Sequence, residues 1–105
     1  MPAPLVHYVI VRADLPLGTI VAQTIHAAGE SSPGDLPQGT RAVALAARSE
    51  SELLALERRL TSRQIAHAAI REPDPPFYGQ LLAIGVAPCD RELVRKEVSS
   101  LPLIR

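Results

Sequence analysis

The chain has 105 residues, enough for one domain with a modest core. Hydrophobic residues make up 47 % and aromatics only 3 %, so the chain should fold, around Val, Ile, Leu and Ala. With 11 basic and 11 acidic residues the net charge is zero, so composition does not advertise nucleic-acid binding, although it leaves room for a local basic patch. Lys96 is the only lysine, which leaves almost no amine for catalysis. Cys89 is the only cysteine; it excludes an intrachain disulfide and suits a reducing, cytoplasmic setting. Arg12 and Asp14 interrupt the N-terminal apolar run, unlike a signal peptide, and no stretch approaches the ~20 apolar residues of a membrane span.

In chain order, residues 5–15 are rich in Val and Ile and read as a strand buried on both faces. Pro16 and Gly18 mark a turn, and residues 19–30 suit a helix with Thr19 as its N-cap. Residues 31–40 are loop by composition. Residues 41–48 form a second apolar, strand-like run. Ser49 and Glu52 have capping-box spacing, and Leu53, Leu56 and Leu60 recur at helical intervals up to about Arg63 or Gln64. Residues 65–70 read as a third strand. Residues 71–79 hold three prolines and exclude regular structure. Residues 80–87 read as a fourth strand. Asp90 can cap a last helix whose apolar stripe is Leu93, Val94, Val98 and Leu101, stopped by Pro102.

The order β-α-β-α-β-β-α implies an α/β protein with a largely parallel four-stranded sheet. Strands three and four follow each other without a helix, so one strand should be antiparallel and the sheet mixed. No repeat or low-complexity segment is present.

The first helix carries the most informative pattern. Thr19, Gln23, His26 and Glu30 share one face, and the helix N-terminus lies at the carboxyl edge of the sheet, where open α/β sheets bind ligands. That terminus also favours anions. An ordinary solvent-facing polar stripe is the plain alternative. Glu72 and Asp74 beside Phe77 and Tyr78 form a second candidate group, since aromatics can stack a base or sugar while an acid handles a proton. Its plain alternative is a stiff Pro-rich connection. Arg12 and Asp14, at the end of the first strand, could face a site or form a surface ion pair. His7 and His67 read as packed histidines. No Cys/His cluster has metal-ligand spacing, and GxSxG, P-loop and GxGxxG motifs are absent.

Arg12, Asp14 and Leu15 form an Arg-x-Asp-Leu, and Ala22, Gln23, His26 and Ala27 an AQ-x-x-HA core on the following helix. This set resembles the first strand and helix of the peptidyl-tRNA hydrolase type 2 family, and the order of later elements is similar along nearly the whole chain. The resemblance implies a three-layer α/β/α fold and hydrolysis, without a metal or other cofactor, of the ester joining a peptide to tRNA. It also implies a possible homodimer, for which the fourth strand or last helix could offer an apolar face. On this reading His26 orients or activates water, with Asp74 or Glu72 as acid–base partner, and Thr19 stands near the catalytic position. Gln23, Arg12 and Asp14 bind substrate, Arg12 through a phosphate.

Two family features are replaced here. The Gly-Lys-Gly-Lys leading into the helix is shortened to Pro16-Leu17-Gly18-Thr19, and the Asp-Ala-Gly-Arg-Thr loop reads Arg71-Glu72-Pro73-Asp74-Pro75. The alternative is a binding module of the same fold that no longer hydrolyses and holds tRNA, a small acyl ligand or a protein partner.

Overall fold

The computed structural model describes residues 3–105. Seven elements follow the expected order: β1 (Val6–Arg12), α1 (Leu17–Ser31), β2 (Arg41–Ala47), α2 (Glu50–Ser62), β3 (His67–Arg71), β4 (Leu81–Val86) and α3 (Arg91–Val98). The strands lie in the order β2-β1-β4-β3. β1 and β2 are parallel, and β4 runs antiparallel to both β1 and β3, so the sheet is mixed. One helix covers one face and two cover the other, giving three layers.

The central strands explain their composition. β1 and β4 are buried along their full length, because each has neighbours on both edges and helices on both faces. Fully buried β4 therefore offers no apolar face for a dimer, contrary to expectation. Val6, Tyr8 and Ile10 of β1 point into the larger core with Leu53, Leu56 and Leu60 of α2 and Val94 and Val98 of α3. Val9 and Val11 point the other way, to Ala27 of α1, Ile70 and Ala83. No helix among the described residues is long and apolar enough to cross a membrane.

Ser49 caps α2 as its spacing implies: its hydroxyl accepts from the Glu52 N–H at 3.3 Å. The reciprocal bond shifts by one residue, since Glu52 Oε1 accepts from the Arg48 N–H at 2.9 Å. That bond, with the Arg48 guanidinium, holds the Glu52 pKa below its ordinary value. Two other expected caps do not form. α1 begins at Leu17 with Pro16 as N-cap and no side-chain bond, so Thr19 lies inside the first turn. Asp90 precedes α3 but its carboxylate makes no capping bond. The stripe of α3 is also shifted: Val94 and Val98 are buried, Leu93 is 46 % exposed, and Glu97 is only 6 % exposed.

α1 turns its small residues inward. Ala27 and Ser31 pack on Gly85 of β4, while Leu17, Val21 and Ile25 are exposed. Ser31 Oγ donates to the Ala27 carbonyl at 2.7 Å and therefore accepts from His7 Nε2–H, also at 2.7 Å. Burial holds the His7 pKa below 6.5. The unfolded chain thus takes up this proton at higher pH than the folded one. The His7 contribution to stability is complete above about pH 6.5 and declines as the medium is acidified. Urea melts between pH 7.5 and 5.5 should show a falling midpoint for wild type and a shallower fall for His7→Gln; matching profiles would refute this assignment.

Candidate functional site

The carboxyl ends of β1 and β2, the start of α1 and the loop from Glu72 to Gln80 meet at one edge of the sheet. Arg12 organises this edge. Its guanidinium donates to Asp14 through Nε (2.9 Å) and Nη2 (3.1 Å), and through Nη1 to Gln80 Oε1 (2.7 Å) and the Leu81 carbonyl (3.5 Å). Four of its five N–H groups are engaged, and the residue is 7 % exposed. Arg12 is thus spent on holding the loop to the strand rather than presented for a phosphate. The hydrogen bond from Arg12 also holds the Asp14 pKa below the usual carboxylate range.

The loop is closed by its own backbone. The Glu72 N–H donates to the Gln80 carbonyl (3.1 Å), and the Gly79 N–H donates to the Glu72 carbonyl (2.8 Å). Gly79 has φ 78°, a conformation that suits glycine. Glu72 Oε1 accepts from the Asp74 N–H at 3.1 Å, so this carboxylate stabilises the turn. Asp74 and Tyr78 are exposed. Glu50, in the first turn of α2, accepts from the Leu81 N–H at 2.8 Å and fastens β4 to the same edge.

On α1, the inner line of Ile20, Ala27 and Ser31 sets the rotation of the helix. Thr24 and Ala28 face a small cleft over β1 and β2 with His7 and Ala42. Gln23 and Thr19 therefore turn to the other flank, toward β3, and both are half-buried. Gln23 Oε1 is buried without a hydrogen-bond partner in the chain, the one such side-chain atom among the described residues. Buried polar atoms are nearly always satisfied, so this acceptor marks a place where a donor belongs. His26 Nε2 lies 3.5 Å from Glu30 Oε1, with both side chains 57 % exposed.

Thr19, Gln23, His26 and Glu30 thus form the expected stripe on one flank of α1. Arg12 and Asp14 form a pair as expected. No hydrogen bond joins Glu72 or Asp74 to Gln23 or His26 among the described residues. Gln80 and Glu50 carry contacts that sequence reading missed, and the 68-residue separation of the Arg12–Gln80 bond left no local signal for it. Among the described residues no group of three or more His, Cys, Asp or Glu side chains could hold a metal ion.

The uncapped start of α1 has no acidic residue in its first turn, which leaves free backbone N–H groups and an open positive end. Chemically the stripe offers anion-binding amides at the top, an amide acceptor one turn down and an imidazole–carboxylate pair below it.

The fold recurs in a solved bacterial structure. It is similar to that of a protein of unknown function, Atu0240, from Agrobacterium tumefaciens strain C58, with TM-score 0.65 and 19 % identity, covering 99 % of this chain and 100 % of that one. At this identity the likeness speaks for the fold alone. No protein-family model matches the sequence, and no curated protein matches it.

Proposed function

We propose that this protein is a peptidyl-tRNA hydrolase-like esterase, cleaving the ester between an acyl-aminoacyl group and tRNA at the α1 flank. The observation that carries the reading is the unpaired Gln23 Oε1 on the same helical face as His26. Gln23 would accept a hydrogen bond from the attacking water or the substrate amide. His26, oriented by Glu30, would position that water.

Thr19 and His26 are seven residues apart, roughly 10 Å along the helix axis. One carbonyl cannot touch both. The terminal phosphate therefore belongs at the α1 N-terminus, where amides and dipole favour an anion, and the ester belongs beside Gln23 and His26. Thr19 would add a hydroxyl at the phosphate end. Arg12, Asp14 and Glu72 act through the loop that they order, and exposed Asp74 is the acid free to face the substrate.

A single-turnover assay on N-acyl-aminoacyl-tRNA tests this. Cleavage by wild type that is lost in both His26→Ala and Gln23→Ala is the expected result. Wild type cleaving no faster than the blank would sink the esterase reading.

A second reading, a binding module for tRNA on the same fold that no longer hydrolyses, is favoured by the missing lysine before α1. It requires tRNA binding by inactive wild type with steep salt dependence.

A further inference from the structure

The opposite face of the sheet carries a cavity that the reading above does not use. It has a volume of about 460 Å³ and lies between α3 and the C-terminal segment, over β1 and β2. Its floor is Tyr8, Val43 and Leu45. The C-terminal segment closes its outer side: the Ala46 N–H donates to the Pro102 carbonyl (2.8 Å) and the Ile104 N–H to the Ala44 carbonyl (3.1 Å), which sets Leu101 and Leu103 along the wall. Leu103 is still 54 % exposed, so the wall is apolar and incompletely covered.

The rim is cationic. Arg91 and Arg95 stand one turn apart on α3 and both line the cavity. Glu92 pairs with Arg95 at 3.3 Å. Arg91 has no carboxylate in ion-pair contact among the described residues and lines the same cavity as Tyr8. The Arg91 guanidinium thus stands at the mouth of an apolar chamber, with Tyr8 in its floor, whose volume falls in the range of small-molecule sites. Tyr8 is itself buried and supplies no exposed ring for stacking a base. Two guanidiniums and one carboxylate leave the rim one net positive charge, which matches a single negative charge.

We propose that this cavity binds a small monoanionic amphiphile, a medium-chain carboxylate, with its head between Arg91 and Tyr8 and its chain on Val43, Leu45 and Leu103. The site is independent of the α1 flank and of whether that flank hydrolyses anything.

The test is an NMR titration of the whole chain with decanoate, with decanol and decyltrimethylammonium as neutral and cationic controls. Decanoate should shift the amides of β2, α3 and the C-terminal segment saturably, and both controls should bind far more weakly. Arg91→Gln, at an exposed position, should weaken decanoate about tenfold, the loss of one charge-assisted contact. Val43→Trp should abolish binding by filling the chamber, provided its melting curve shows a folded protein. Absence of saturable decanoate binding at millimolar concentration would overturn the proposal. So would equal binding of decanol, or an Arg91→Gln variant with unchanged affinity.

Discussion

Gly85→Ala should destabilise the protein by about 3 kcal/mol, the upper end of what overpacking a core costs. A Cβ at this position would collide with the Ala27 carbonyl oxygen and with Ser31 Oγ, and would stand 2.8 Å from Ser31 Cβ. The carbonyl is helix backbone and cannot rotate away. α1 would have to lift from the sheet, and lifting it breaks the His7–Ser31 bond and opens the cluster of Val9, Val11, Ala27 and Ala83. For a domain of this size the loss corresponds to a fall in melting temperature of roughly 10–20 °C. Gly29→Ala supplies the control. Gly29 lies in the same helix, and a methyl group there would meet nothing within 4 Å, so its substitution should stabilise by about 0.5–1 kcal/mol through helix propensity. If both variants melt alike, the close approach of α1 to β4 is wrong.

Arg63→Ala should cost about 2 kcal/mol, whereas Glu97→Leu should be nearly neutral. The Glu97 carboxylate, whose side chain is 7 % exposed, accepts from Arg63 Nη1 at 2.5 Å between α2 and α3. Removing the arginine strands a buried charge, a loss of about 3–5 kcal/mol for fully buried pairs. The half-exposed Arg63 side chain lowers that figure, because water already screens one end and can follow the vacated path. Replacing the glutamate removes the desolvation penalty together with the pair, and Leu fits the apolar margin of the α3 stripe. In urea melts the double variant should match Glu97→Leu alone, since Arg63 then has no charge to answer. Equal losses for both single variants would show that the pair is a net stabiliser instead.

Much of the architecture was legible in the residues. A nearly continuous Val/Ile-rich run marked β1, because both faces of that strand are covered, and the leucine spacing with Ser49 marked α2. Successive strands without a helix between them announced one antiparallel strand, and the structure shows that it is β4. The flank of α1 that holds Thr19, Gln23 and His26 was also readable, since helical spacing alone assigns a face.

Other features depended on partners far along the chain. Nothing near Arg12 shows that Gln80 and Leu81 take up its Nη1, so its commitment to the loop emerges only when β1 and β4 lie side by side. Nothing near Glu97 announces Arg63 either, and local periodicity counted Leu93, not Glu97, among the core-facing residues of α3.

The sequence by itself determined the elements, their order and the polar flank of α1, because these follow from side-chain periodicity and backbone preferences within a few residues. Only the tertiary structure decided how deep α1 sits, which charges are spent on structure and where apolar surface stays uncovered. Those outcomes turn on close packing between distant segments, and there the absence of one Cβ at Gly85 counts for more than any local propensity.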